Sequence, residues 1–288
     1  MLSFAHEYRE RRRSIDPIGY ATSLLGTAFA PQAQHRHGAA EPLLRRALDE
    51  FVEPLSVGDQ QSKDLCQQML AECLAQHDET LIEAEQIFRH LLNLKSLHSA
   101  GTSPKTSVRQ SLARVLRKQH RNSEAEEIYR RLLDGPEALS DRVRTNITMA
   151  LCQVLRDQEK LAEAEVVARQ ASEAALIHGP ADLRSQHALL ILGTVKLGQK
   201  AYGEAASTLG QACDAIATPY HQFHFQCLHA MGHTLRCLQR HDESASFYTR
   251  ALDGYTQMLG SDHVSTQALS RELNECRASL ARETETKE

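Results

Sequence analysis

Apolar side chains return at intervals of three and four residues along most of the chain, and short runs of turn-forming residues separate these periodic stretches. This spacing places the apolar side chains along one face of a helix. The turns include Asp134-Gly135-Pro136, His178-Gly179-Pro180 and Leu259-Gly260-Ser261-Asp262. Glycine after a helix can adopt the left-handed cap conformation, and proline cannot continue a helix. The pattern therefore predicts an all-α chain of successive helices.

One helix pattern occurs several times, with a small residue, an acidic residue, and then aliphatic and basic residues at fixed spacing. Four clear copies are followed by two weaker ones, and successive copies start 39 to 44 residues apart. The copies begin at Ala40, Ala84, Ala125, Ala164, Ala205 and Ser244. A constant period of this size is typical of repeat architectures. Each copy is predicted to be the second helix of one repeated unit.

A second small residue precedes each copy, inside another periodic stretch. Ala71 lies thirteen positions before its copy, and the others lie twelve positions before theirs. These others are Ala28, Ala113, Cys152, Gly193 and Gly232. Small side chains allow the backbones of two crossing helices to approach closely. Each unit is therefore predicted to be an antiparallel helical hairpin.

A single hairpin cannot bury both of its apolar faces, so neighbouring hairpins must stack. Stacking at a constant offset predicts a right-handed superhelical solenoid of about six hairpins over residues 17–263. Residues 264–282 are predicted to form a C-terminal capping helix, and residues 283–288 form a charged tail. Residues 1–16 are predicted to be a helical segment from an incomplete repeat.

Composition and charge limit the classes of partner. Only 5% of residues are aromatic, and the formal net charge is -4, so we expect neither nucleic acid nor a membrane surface as a partner. No stretch of about 18 apolar residues could span a bilayer, and the N-terminal segment lacks the apolar region of a signal peptide. We therefore expect a cytoplasmic protein.

Seven cysteines are distributed over the predicted helices without any CxxC pair. A chain of this size needs no disulfides to fold, so we interpret them as small, reduced core residues of an intracellular protein. They are Cys66, Cys73, Cys152, Cys213, Cys227, Cys237 and Cys276.

Several segments resemble a known repeat family. Ala21–Leu24, Ala28, Ala40–Leu43 and Arg45–Leu48, together with Leu259–His263, closely resemble the tetratricopeptide repeats of kinesin light chains. The resemblance extends over about residues 17–280. The chain shows no long heptad segment of the kind that joins kinesin light chains to the motor. We therefore expect repeats of this family but not a motor subunit.

The resemblance implies a concave groove, lined by the first helix of each unit, that accepts extended and often acidic peptides. At the family's groove positions this chain carries mainly cationic, imidazole and amide side chains. They are Arg114, Arg117 and Lys118 in the third unit, Asn146, Gln153 and Arg156 in the fourth, and His229, His233 and Arg236 in the sixth. Guanidinium groups bind carboxylates through two parallel hydrogen bonds, so we predict an interaction scaffold that binds an acidic segment of another protein. Alternatively, these cations are solvated or paired with acids on facing helices.

The sixth unit is unusually rich in histidine and cysteine. His229, His233 and Cys237 are spaced by four residues and form one stripe on a helix. Three ligands on one helix lie along it and do not surround an ion, so we predict no metal site and no cofactor. A second hypothesis is a small-molecule or catalytic pocket, with His229 or His233 as the acid or base and Arg156 or Arg236 holding an anionic substrate. No set of residues demands a particular reaction, and we predict no catalytic residue. A third hypothesis is self-association.

Overall fold

The structure of the protein is a computed structural model that describes residues 16–33, 37–94, 103–136, 139–177, 179, 182–214 and 222–285. Within these ranges all regular structure is helical, with thirteen α-helices and one short 3-10 helix. Residues 1–15 of the predicted N-terminal segment and residues 286–288 of the tail lie outside the described ranges. The chain divides into two compact units, Met1–Ala138 (unit 1) and Leu139–Glu288 (unit 2).

Unit 1 contains three helical hairpins in which each helix packs against the next one in sequence. The first helix of the first hairpin also contacts the first helix of the second. The helices are α1 (Pro17–Ala33), α2 (His37–Asp49), α3 (Val57–Leu74), α4 (Leu81–Asn93), α5 (Ser103–Lys118) and α6 (Asn122–Asp134). The short 3-10 helix Asp78–Thr80 connects α3 to α4.

Unit 2 contains three further hairpins and a last helix that packs on the third of them. Its helices are α7 (Asp141–Asp157), α8 (Leu161–Leu176), α9 (Leu183–Gly198), α10 (Tyr202–Asp214), α11 (Gln222–Cys237), α12 (His241–Leu259) and α13 (Val264–Glu285). The first helices α7, α9 and α11 also contact one another in that order. The predicted all-α architecture of sequential antiparallel hairpins is confirmed. No described helix combines the length and the apolarity needed to cross a membrane.

The small residues predicted at the helix crossings lie at tight contacts. Those of the first four hairpins are fully buried, namely Ala28, Ala71, Ala113 and Cys152. A Cβ atom placed on Gly193 would lie 2.6 Å from Cγ of Leu209, and one placed on Gly232 would lie 2.7 Å from Cδ1 of Tyr248. The backbones of α9 and α11 therefore approach the second helices of their hairpins as closely as glycine permits.

The acidic and basic positions of the repeated pattern form an ion pair in each of the four clear copies. The nitrogen–oxygen distances are 3.1, 2.8, 2.7 and 2.6 Å for Glu41–Arg45, Glu85–Arg89, Glu126–Arg130 and Glu165–Arg169. Two of these acids also accept a hydrogen bond from the following hairpin. Glu85 accepts from Arg121 at 2.7 Å and Glu165 accepts from Gln199 at 3.0 Å. The repeated pattern therefore stabilises the stacking of neighbouring hairpins as well as the helix that carries it. Each exposed ion pair contributes only about 0.3–0.5 kcal/mol to the free energy of unfolding.

The turns between the two helices of a hairpin share an unusual backbone conformation. In four hairpins, three residues connect the two helices, and the second of them has φ between 61 and 63°. None of these four residues is glycine. They are His120, Glu159, Lys200 and Gln239. The left-handed conformation costs a residue with a Cβ atom roughly 1–2 kcal/mol relative to the right-handed one. The turns thus carry local strain that the helix packing compensates.

Replacing Lys200 by glycine should relieve this strain. The Lys200 side chain is exposed, so its removal exposes no apolar core. We expect Lys200→Gly to raise the free energy of unfolding by about 0.5–1 kcal/mol, measured by urea denaturation. Lys200→Ala keeps the Cβ atom and should give no such gain. Equal stabilities of the two variants would show that the turn is not strained.

Candidate functional site

The nine predicted groove residues lie on three first helices, and none of them is fully buried. The third-unit residues lie on α5 in unit 1, and the others lie on α7 and α11 in unit 2. We call Arg114, Arg117 and Lys118 the α5 cationic cluster. The structure places the α7 and α11 residues in one row of first helices, with α9 between them.

Lys118 is the member of the α5 cationic cluster whose charged group forms a hydrogen bond with a neighbouring helix. Its ammonium group donates a 2.6 Å hydrogen bond to the carbonyl oxygen of Ala75, which follows the end of α3. Carbonyls at a helix end lack partners within the helix, so this contact caps α3. Burial lowers the pKa of Lys118; Asp78 opposes this effect, and the positive charges of Arg114 and Arg117 add to it.

Arg114 is exposed, and its guanidinium donates to the neutral hydroxyl oxygen of Ser111 at 3.3 Å. Arg117 lies half-buried one turn further along the helix. Burial raises the pKa of Tyr129, on α6, to about 12, and the positive charges of both arginines act in the opposite direction. The charges of Arg114 and Arg117 therefore both affect Tyr129, which lies on the second helix of the hairpin.

On α7 the guanidinium of Arg156 links two first helices. It donates to Oγ1 of Thr194, on α9, at 3.2 Å and lies 3.4 Å from a carboxylate oxygen of Asp157. Gln153 is half-buried and Asn146 is exposed on the same helix. Thr194 was not predicted from the sequence, and it extends the row of polar side chains from α7 to α9.

On α11 the predicted groove residues have acidic partners on the last helix. Nε2 of His229 lies 3.0 Å from Oε2 of Glu272, and Arg236 donates to Glu275 at 3.3 Å. Both acids belong to α13, which was predicted only as a cap. The charge of Arg236 is therefore largely balanced within unit 2, whereas Arg114 in unit 1 has a neutral hydrogen-bond partner.

His233 lies between these two pairs along α11. Its Nδ1 atom is 3.8 Å from Sγ of Cys237, which is a weak contact. Burial lowers the pKa of His233, the charge of Arg236 lowers it further, and Glu272 opposes both effects. Together these effects favour the neutral form of the ring. Within the described residues, no group of three or more histidine, cysteine, aspartate and glutamate side chains is arranged to hold a metal ion.

The His229–Glu272 contact predicts a specific response to acid. The hydrogen bond with His229 lowers the pKa of Glu272, and burial partly opposes this. A carboxylate with a lowered folded-state pKa stabilises the fold above its unfolded pKa of about 4.3, and the contribution disappears as the pH falls through the folded value. We expect Glu272→Gln to lower the free energy of unfolding by about 1 kcal/mol at neutral pH.

The difference between wild type and Glu272→Gln should shrink towards zero as the pH falls below the unfolded pKa of about 4.3 and through the lowered folded-state pKa of Glu272. Urea denaturation at a series of pH values measures it. Glu275→Gln is the matched control, because its carboxylate is 71% exposed and should contribute less at every pH. A difference that does not depend on pH would rule out this origin.

Unit 1 also contains a cleft of about 520 Å³ between α4, α5 and α6. Its wall is mainly apolar, and its charged lining residues are Arg109 and Arg131. The lining residues are Leu92, Arg109, Leu112, Ile128, Arg131, Leu132, Gly135 and Pro136. The cleft contains none of the nine predicted groove residues, and neither of the histidines of the catalytic hypothesis lines it.

Comparison with protein families identifies the repeat. Tetratricopeptide repeat models match residues 109–143 and 225–265. These stretches overlap the hairpins α5–α6 and α11–α12, which carry six of the nine predicted groove residues. The chain contains tetratricopeptide repeats at these two stretches. Such repeats typically bind proteins or peptides, which places the chain among interaction scaffolds.

Solved structures share the fold of this chain at low identity. The repeats of a putative kinesin light chain from Podosopora anserina are 14% identical, with a TM-score of 0.55, over 66% of this chain and 93% of that one. BtubC (BKLC) from P. vanneervenii is 16% identical, with a TM-score of 0.54, over 83% and 92%. The apo quorum sensor NprR from B. thuringiensis is 11% identical, with a TM-score of 0.60, over 96% and 82%. A search of curated proteins finds no match.

Proposed function

We propose that this protein binds an extended, acidic segment of a partner protein along the first helices of its repeats. The observation that carries the proposal is the α5 cationic cluster, where three cations lie within five residues and Arg114 is exposed and donates to a neutral hydroxyl. A guanidinium in this position can still form the two-pronged hydrogen bond that a carboxylate offers. The proposed anion contact is therefore on α5.

The contrast with α11 supports this assignment. Arg236 donates to Glu275, and His229 lies against Glu272, so a carboxylate from a ligand would have to compete with carboxylates of the protein. At Arg114 it would replace a weak 3.3 Å contact to Ser111. The acidic residues of the ligand are thus proposed to bind at the α5 cationic cluster of unit 1.

The α7 residues of unit 2 also suit the binding of an extended peptide. Gln153 and Asn146 carry amide side chains, which can both donate to and accept from the main chain of an extended peptide. Arg156 is held between α7 and α9 by Thr194, so its position is already ordered before a ligand binds. A preformed surface loses little conformational entropy on binding, which increases affinity for a given set of contacts.

Selection from a random peptide library, with the full chain as bait, tests the proposal directly. We expect enriched peptides to contain clustered Asp and Glu, and their binding to weaken as the salt concentration rises, because exposed charge pairs are screened. Enrichment of neutral or basic peptides would contradict the acidic preference. Binding that does not change with salt would contradict the proposed contact with the α5 cationic cluster.

The catalytic hypothesis gains no comparable support. The imidazole of His229 is engaged by Glu272, and the ring of His233 is half-buried against Cys237. The cleft in unit 1 is lined by other residues. We therefore retain the peptide-binding proposal alone.

A further inference from the structure

The cleft between α4, α5 and α6, which we call the unit 1 cleft, contains none of the residues proposed to bind a peptide. Its volume of about 520 Å³ is within the range of roughly 300–1,000 Å³ that is typical of small-molecule sites. Aliphatic side chains form most of its wall, and Arg109 and Arg131 carry positive charge beside them. The aliphatic residues are Leu92, Leu112, Ile128, Leu132 and Pro136. The cleft therefore combines an apolar wall with two cations.

The unit 1 cleft and the α5 cationic cluster lie on different sides of α5. Arg109 is five residues before Arg114. Successive residues of a helix are about 100° apart around its axis, so roughly 140° separates the two side chains. Arg109 and Leu112 line the cleft together with residues of the second helices α4 and α6. A ligand in the cleft therefore binds on the side of the second helices and not at the α5 cationic cluster.

The turn after α6 leaves the unit 1 cleft open. Gly135 follows the helix with the extended backbone angles φ -69° and ψ 159°. A Cβ atom placed on Gly135 would lie 2.8 Å from the carbonyl oxygen of Arg131, so a side chain here would force the turn to shift. Pro136 cannot continue the helix. Leu92 and Ile128 are only half-buried, and part of their apolar surface is open to a ligand.

Arg131 is the more accessible of the two cleft cations. Its side chain is 77% exposed, and one of its terminal nitrogens donates to Oε1 of Glu127 at 2.5 Å. A guanidinium has five N–H donors in a planar fork, so this contact leaves donors for a second carboxylate. Arg109 is half-buried on the neighbouring helix α5. The anionic group of a ligand at Arg131 keeps contact with water and avoids the cost of burying a charge.

The chemistry of the cleft lining selects one class of ligand. Among the described residues that line the cleft, none has an aromatic ring, a hydroxyl, a side-chain amide or a carboxylate. A nucleobase would lack the aromatic ring on which it commonly stacks, and a cationic ligand would be repelled by two like charges. The lining offers dispersion contacts for an aliphatic chain and N–H donors for a carboxylate.

We propose that the unit 1 cleft binds a fatty acid, with its alkyl chain against the aliphatic wall and its carboxylate at Arg131. At about 30 Å³ for each non-hydrogen atom, the share of one molecule in liquid water, the cleft holds roughly 17 such atoms, which fits a chain of about twelve carbons with its carboxylate. Guanidinium and carboxylate groups form two parallel hydrogen bonds. Fatty-acid binding is additional to the proposed binding of a peptide, because the two surfaces are distinct.

Isothermal titration calorimetry of the full chain with dodecanoate, below the concentration at which it forms micelles, tests the proposal. We expect saturable binding of one molecule per chain. Decanoate should bind roughly tenfold more weakly, because each methylene group removed from water contributes to affinity. Dodecyltrimethylammonium has the same alkyl chain with a positive charge and should not displace dodecanoate. Its binding as tightly as dodecanoate would overturn the proposal.

Variants of the cleft locate the binding. Arg131→Gln should weaken dodecanoate binding by about tenfold, because a charge-assisted hydrogen bond to the carboxylate is lost. Ile128→Trp places a larger side chain in the cleft and keeps both arginines, so it should abolish binding. Ile82→Trp is the matched control, since Ile82 is 66% exposed on α4 and does not line the cleft. Its affinity for dodecanoate should stay within about twofold of wild type.

Circular dichroism verifies that each variant is folded, and Arg131→Gln decides the outcome if Ile128→Trp does not fold. Absence of dodecanoate binding to wild type would overturn the proposal. Unchanged binding to Arg131→Gln, or to folded Ile128→Trp, would overturn it as well. No acidic peptide is used in these experiments, so the fatty-acid proposal and the peptide-binding proposal succeed or fail separately.

Discussion

Gly254→Ala is expected to lower the free energy of unfolding by about 1–3 kcal/mol, the largest stability change predicted for a single methyl group in this protein. A Cβ atom at Gly254 would lie 2.1 Å from Cδ1 and Cε1 of Phe225. That ring is buried in the cluster that joins α11, α12 and α13, together with Tyr255 and Leu269. The ring cannot move away without disturbing this packing, so the two helices must separate.

Gly210→Ala is the matched control. Its added Cβ atom would make an ordinary 3.6 Å contact with Cε of Met231, a flexible side chain. Alanine favours a helix over glycine by about 0.8–1.0 kcal/mol, so this variant should be as stable as wild type or more stable. Urea denaturation of both variants measures the difference. If Gly254→Ala is as stable as Gly210→Ala, the close approach of α11 and α12 is not as described.

The sequence predicted the hairpins because their signals are local. Apolar periodicity and the small residue twelve or thirteen positions before each repeated pattern both follow from contacts inside one hairpin, as at Gly193 and Leu209. Gly254 gave no such signal, since its constraint comes from Phe225 on the preceding helix and not from a repeated position. The left-handed turn residue Lys200 was equally hidden, because lysine has no preference for that conformation.

The helices that carry the nine predicted residues could be predicted from the sequence, but the charge balance around these residues could not. Family spacing placed the nine residues on first helices, yet it did not show that Glu272 and Glu275 lie against His229 and Arg236. The offsets of these contacts, 43 and 39 residues, are close to one repeat period. Both acids could therefore have been predicted from the sequence, because each lies about one repeat period after its cationic or imidazole partner. Lys118 could not have been assigned as a helix cap, because the acceptor is a main-chain carbonyl.

Removing two charges from the α5 cationic cluster is expected to have the largest effect on binding. Arg114→Gln combined with Arg117→Gln should weaken binding of an acidic library-selected peptide by at least about tenfold, because each charge-assisted hydrogen bond contributes about 1.5–3 kcal/mol. Glutamine keeps a long polar side chain, so the helix should be little affected. The same double change should also reduce the dependence of affinity on salt.

Arg130→Gln combined with Arg131→Gln is the matched control for that experiment. Both residues are exposed on α6, the second helix of the same hairpin, and each pairs with an acid four residues earlier. The control removes the same net charge from the same hairpin, but outside the first helix. It therefore separates a specific contact on α5 from a general change in protein charge.

Fluorescence anisotropy titration of a labelled acidic peptide, with wild type and the two double variants, tests the central claim most directly. The account predicts that the α5 variant loses at least about tenfold in affinity, whereas the α6 variant stays within about twofold of wild type. Equal losses in the two variants, or no loss in the α5 variant, would contradict binding along the first helices.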